Sequence, residues 1–151
     1  MPDAADAWPK RGAFVTLEAA GALRGCVGQM RANRSLATVV CEMAVAAARD
    51  DPRFPPLGAH ELPAVHIEIS VLSDAEALRP VVPERVTVGR DGLVVRRGES
   101  IGVLLPKVAT EFGWGSVDFL GAACRKAGLS PRAWSDAATE VFTFQAEVFR
   151  E

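Results

Sequence analysis

An α+β fold, rich in antiparallel sheet packed by helices and carrying a second unit between its strands, follows from three features of the sequence. Residues 65–72 alternate without a break, Val65, Ile67, Ile69 and Val71 against His66, Glu68 and Ser70, the period of a strand with one buried face. Leu36, Val39, Val40, Met43 and Ala47 recur at helical spacing, so one helix offers the sheet an apolar stripe. Asp91-Gly92 lies between two apolar runs and is the strongest short hairpin signal in the chain, marking a separate small meander.

At 151 residues and 49 % hydrophobic, the chain is long enough for one real core, and one domain is the default. A net charge of -2 excludes general binding to nucleic-acid backbones, which needs a strong basic excess, but leaves room for a local basic pocket. Cys26, Cys41 and Cys124 are far apart and form no CxxC pair, so neither a disulfide framework nor a thiolate zinc site is expected, and no metal or other cofactor is predicted. A reducing, cytoplasmic setting fits that cysteine usage. No basic region followed by an apolar stretch opens the chain, and the longest nearly apolar run, residues 36–48, is interrupted by Glu42. It is too short to span a bilayer, and no membrane partner is expected.

In order, residues 1–11 are polar, alanine-rich and contain two prolines, which predicts a loose N-terminal arm. Residues 13–17 and 23–27 read as strands joined through Gly21. Ser35 is placed to cap a helix over residues 35–49. Asp51-Pro52-Arg53-Phe54-Pro55-Pro56-Leu57 must end it, because a residue before proline avoids the helical region, and forms a rigid loop. Residues 141–149 repeat the strand alternation, with Phe142, Phe144, Ala146 and Val148 inward, and are expected to join the first sheet as one strand. In the second unit, residues 86–90, 93–97 and 101–105 are expected as strands. Pro106 opens a short helix, and Ser116 caps another whose Leu120, Ala123, Cys124 and Ala127 face a core. Trp114, Leu129 and Trp134 are expected to pack around it.

The most unusual stretch is Leu23-Arg24-Gly25-Cys26-Val27-Gly28. On a strand, Arg24 and Cys26 share one face about 7 Å apart, close enough for a guanidinium to stabilise a thiolate in a partly dry site. Gly25 and Gly28 keep side chains away from the sulfur and would admit a ligand or another backbone. The same residues also fit a bulge or a close helix approach, with Cys26 as a small packed side chain. If this strand and residues 65–72 share a sheet, Arg24, Cys26, His66, Glu68 and Ser70 lie together on the face away from the helix. That face is either a candidate thiol site, with His66 or Glu68 as base, or the ordinary wet side of a one-sided sheet. Arg31 and Arg34 before the helix start at Ser35, and Arg53 in the loop, are candidate anion contacts or solvated charges.

The hexamer, together with Phe14-Val15-Thr16-Leu17, residues 51–57 followed by Glu61-Leu62, residues 67–72, Leu105-Pro106-Lys107-Val108, Lys126-Ala127-Gly128-Leu129 and Trp134, closely resembles the AMMECR domain family, whose signature is LRGC[IV]G. The resemblance runs from about Gly12 to the C-terminus. It implies an AMMECR-like domain over 12–151, with a larger half of about 12–80 plus 138–151 and a smaller α+β half of about 81–137. It also implies the A component of the AmmeMemoRadiSam system, with a MEMO-like protein and a radical SAM protein as partners. By that resemblance Leu23 through Gly28 are the suspected functional centre of a family whose activity is not established. Family members usually carry helices before the first strand where this sequence has residues 1–11. The sheet is therefore expected to be less covered at that edge, or covered by a partner or by a second copy in a homodimer.

Two classes of function follow. In one, the chain is an enzyme with Cys26 as nucleophile or acid/base, Arg24 tuning it, and Glu68 or His66 moving protons. In the other it is a non-catalytic module in which Arg24, Gly25, Gly28, Arg31, Arg53 and Ser70 hold a small anionic ligand, a modified nucleotide or a partner protein.

Overall fold

A computed structural model describes residues 8–151. The elements in order are β1 (Ala13–Ala19), β2 (Ala22–Gln29), α1 (Leu36–Arg49), β3 (Val65–Leu72), β4 (Glu76–Ala77), β5 (Gly92–Arg97), β6 (Ser100–Leu104), α2 (Pro106–Phe112), α3 (Ser116–Lys126), β7 (Glu140–Phe144) and β8 (Ala146–Arg150). They form two compact units, one running up to Ser73 and including Glu147–Glu151, the other Asp74–Ala146. The mixed α+β class with antiparallel sheets is the one the periodicities predict.

The first unit is a sheet of order β2-β1-β3-β8 with α1 on one face. Ala20 and Gly21 join β1 to β2 with φ of 51° and 76°, the pair of left-handed residues that suits the twist of a two-residue hairpin. Val15 and Leu17 from β1 are buried with Ala47 of α1, and Val27, Val40, Met43, Ile67 and Ile69 pack around them. Ser35 caps α1 as expected, its hydroxyl accepting from Thr38 N at 3.5 Å. Of the expected loose arm, residues 1–7 lie outside the described residues. The rest is tied to the start of α1, where Leu36 N donates to Pro9 O at 2.9 Å and Lys10 bridges to Ser35.

Two expectations for this sheet are corrected. Residues 141–149 are not one strand: β7 lies between β4 and β5 in the second sheet, whereas β8 lies beside β3. The change occurs at Gln145, whose amide donates to Asp91 Oδ1 at 2.9 Å. The alternation runs unbroken through that residue, so periodicity cannot reveal it. Around Thr16, Glu68 and Ser70 the polar face of the sheet is also not the wet one. Thr16, Glu68 and Ser70 are 2 %, 4 % and 1 % exposed, while Ile67 and Ile69 on the α1 side are only half-buried. Burial of Glu68 is compensated by Arg150 Nε at 2.7 Å, as a buried carboxylate requires.

The second unit has a sheet of order β4-β7-β5-β6. Leu93, Val95, Leu104 and Val141 from its strands are buried with Phe119, Leu120, Ala123 and Cys124 of α3. Cys124 is a core residue, and burial raises its thiol pKa. Residues 86–90 form no strand, and Asp91-Gly92 is not the hairpin turn. Asp91, 1 % exposed, instead accepts from Thr87 N at 2.8 Å and closes a local turn. Gly92 is a strand residue whose added Cβ would collide with the Phe144 ring. The hairpin is β5–β6, turning through Gly98 at φ 59°. Ser116 begins α3 rather than capping it, and its hydroxyl donates to Val86 O at 2.9 Å.

Candidate functional site

The hexamer forms most of β2, and β2 is an edge strand. An edge leaves a row of backbone groups without strand partners, which must be covered, satisfied or wetted. Gly25 lies against the end of α1, where an added Cβ would collide with the Ala47 carbonyl. A Cβ at Gly28 would run into the Phe14 ring. Both glycines are therefore required by close packing.

Between these two sides the β1–β2 register jumps from Leu17↔Gly25 to Glu18↔Leu23, leaving Arg24 opposite no residue. Such a bulge re-aims a side chain. The Arg24 guanidinium meets Glu61 in a bidentate pair, Nε to Oε1 at 3.0 Å and Nη2 to Oε2 at 3.2 Å. Glu61 belongs to the short helical turn Ala59–Ala64 and also accepts from Gly58 N at 2.8 Å. The Arg24 pair, then the Gly58 amide, hold its carboxyl below the usual glutamate range.

One residue past Gly25, the Cys26 amide donates to Asp51 Oδ2 at 3.0 Å. Asp51 also accepts from Arg53 N at 3.1 Å, Arg53 Nε at 3.0 Å and Arg53 Nη2 at 2.7 Å. The Arg53 side chain first, and then the Cys26 and Arg53 amides, hold the Asp51 carboxyl well below the carboxylate range against the opposing push of burial. Arg53 is correspondingly raised, mainly by Asp51, with a weaker charge contribution from Cys26. The Phe54 ring has guanidiniums at 5.9 Å (Arg24) and 5.5 Å (Arg53) from its centroid, within cation–π range.

The Cys26 side chain is half-buried, with its Sγ 3.3 Å from the hydroxyl of buried Thr16. Thr16 stands in register with Cys26 on one side and Glu68 on the other. Glu68 is thus two strands from the thiol, about 10 Å, and is paired with Arg150. His66 is exposed and stands opposite Glu18, two residues further along. Ser70 stands opposite Phe14, in the row of Gly28. Arg31 is exposed beyond the end of β2. Arg34 is engaged by Glu42 and Gln29, and two amides of the first turn of α1 are taken by Pro9 and Ser35.

The structure therefore gathers Arg24, Gly25, Cys26, Gly28 and Arg53 at one sheet edge. It does not bring His66, Glu68, Ser70 or Arg31 to the sulfur. The roles of Thr16, Asp51 and Glu61 at this edge are not marked by any motif in the sequence. The available signal was Asp51-Pro52-Arg53, since an aspartate two residues before an amide it can accept from is a common turn device. Among the described residues no group of three or more His, Cys, Asp or Glu side chains is placed to hold a metal.

The AMMECR1 family model matches residues 2–149. A protein of Methanothermobacter thermautotrophicus is 47 % identical over 146 residues, covering 94 % of this chain and 76 % of the relative. One from Methanosarcina acetivorans is 43 % identical over 144 residues, covering 93 % and 72 %. In three dimensions the chain is similar to the crystal structure of an uncharacterized Pyrococcus horikoshii protein, with a TM-score of 0.93 and 41 % identity, covering 97 % of this chain and 76 % of that one.

Proposed function

Since this chain belongs to the AMMECR1 family, we propose that it is a non-catalytic binding module that offers the β2 edge, with Cys26, Arg53 and Phe54, to partner proteins. The partners are the MEMO-like and radical SAM proteins implied by the family resemblance, in the cytoplasm. One observation carries the reading: the charged groups beside the sulfur are already matched, Arg24 with Glu61 and Arg53 with Asp51. A thiol nucleophile needs a base within hydrogen-bond reach, and the side chain that Cys26 meets is the hydroxyl of Thr16. What faces outward is Arg53, whose side chain is 55 % exposed, beside an aromatic ring. Arginine and aromatic side chains are the types enriched where protein partners bind.

A second reading, a thiol-dependent enzyme, is favoured by the partial exposure of Cys26 between two glycines. Co-expression with the two partner proteins and size-exclusion chromatography separates the readings. The binding module predicts that Cys26→Ala co-elutes with its partners as the unaltered chain does, while Arg53→Glu does not. Failure of the unaltered chain to co-elute with either partner removes the proposal.

A further inference from the structure

The second unit contains a cleft of about 480 Å³ next to the β4–β7 pair, within the size range of small-molecule sites. Thr139 lines it and is 4 % exposed. Its hydroxyl is buried without a hydrogen-bond partner, although a buried polar atom is ordinarily satisfied. Trp134 and Phe142, both half-buried, supply aromatic wall.

The charges at the cleft are unequal. Asp136 is paired with Arg97 at 3.2 Å and Glu140 with Arg96 at 3.0 Å, so the acidic residues are already neutralised. Arg79 is exposed at the cleft, and its guanidinium has no partner among the described residues. The cleft therefore combines a ring-stacking wall, an unanswered hydroxyl and one unmatched positive charge.

We propose that this cleft binds a small planar anion, an aromatic ring bearing a carboxylate or a phosphate. The ring lies against Trp134, a polar atom of the ligand meets the Thr139 hydroxyl, and Arg79 holds the anionic group. This site is separate from the β2 edge and does not depend on the reading given above. Guanidinium is suited to both kinds of anion through its paired donors.

The test is amide chemical-shift titration of the full chain with indole-3-acetate for the carboxylate and adenosine monophosphate for the phosphate, with indole alone as the uncharged control. Saturable shifts confined to residues 77–81 and 134–142 are expected with at least one anion, and the anion that saturates first identifies the class. Arg79→Ala should weaken that binding at least tenfold, to the level of indole. Thr139→Val should weaken it similarly without lowering the melting temperature, because the isosteric methyl replaces a hydroxyl that bonds to nothing in the free protein. Absence of saturable shifts with both anions overturns the proposal, as does indole binding as tightly as the anions. Unchanged binding by Arg79→Ala overturns it too, and that variant decides alone if Thr139→Val does not fold.

Discussion

Replacing Asp51 with alanine removes the acceptor that closes the β2 edge, and the size of the loss can be worked out group by group. The Cys26 amide loses a charged acceptor at 3.0 Å and the Arg53 amide loses one at 3.1 Å. A hydrogen bond to a charged group contributes about 1.5–3 kcal/mol when buried, and a capping-type bond to a backbone amide about 1 kcal/mol. The ion pair adds less than about 1 kcal/mol, because the Arg53 side chain is 55 % exposed and solvent screens it. The sum is a destabilisation of about 3 kcal/mol for Asp51→Ala, and about half that for Asp51→Asn, which keeps one carbonyl oxygen. Urea unfolding followed by far-UV circular dichroism measures it. The pH dependence gives an independent check. The folded-state pKa of Asp51 is depressed from 3.8, so its contribution is fully present above the unfolded value and is lost as pH falls from there towards the folded value. The gap between the unaltered chain and Asp51→Asn should therefore narrow below about pH 4. A difference below about 0.5 kcal/mol at neutral pH, the range of ordinary surface substitutions, would mean that Asp51 does not close the edge.

Gly25→Ala should cost about 3 kcal/mol, the upper part of the overpacking range, because the obstacle is the Ala47 carbonyl of the backbone rather than a side chain that can turn away; an unchanged urea midpoint would contradict the close approach. Ala20→Asn should stabilise the chain by about 1 kcal/mol, since Ala20 at φ 51° occupies a region that asparagine tolerates better, and a lower melting temperature would count against the assigned turn. Iodoacetamide should label Cys41, which is exposed, and more slowly Cys26, which is half-buried, while Cys124 stays unlabelled until urea unfolds the chain. Labelling of Cys124 in the folded protein would contradict its place on the buried face of α3.

The elements with a single clear period were the legible ones. α1 was readable from its stripe and from Ser35, and α2 from Pro106 at its first position. β3 was legible as a strand, but its burial was not. Alternation says which residues share a face, and it does not say that the face holding Glu68 and Ser70 is covered as well. The division of residues 141–149 into β7 and β8 was hidden for a similar reason, because an unbroken alternation serves two sheets as well as one. Asp91-Gly92 misled because the turn lies before it, over residues 87–91, where the Asp91 carboxylate closes it and Gly89 at φ 91° supplies the left-handed residue, while Gly92 is already strand. At the candidate site, the sequence singled out the hexamer and placed Arg53 near it. The roles of its residues depend on partners distant in the chain. Arg24 answers Glu61 because of a bulge that no local pattern announces, and the need for Gly25 comes from the end of α1.

Arg24 with Glu61, and Asp51 with Arg53 and the Cys26 amide, hold the β2 edge closed. Amide hydrogen exchange at Cys26 reads that closure at the bond that makes it. The Cys26 amide has no strand on its open side and donates to Asp51. It should exchange slowly in the unaltered chain and markedly faster in Asp51→Ala, while the Val15 and Ile69 amides inside the sheet keep their protection. Rapid exchange of Cys26 in the unaltered chain, or identical exchange in both, would mean that Asp51 does not hold this edge.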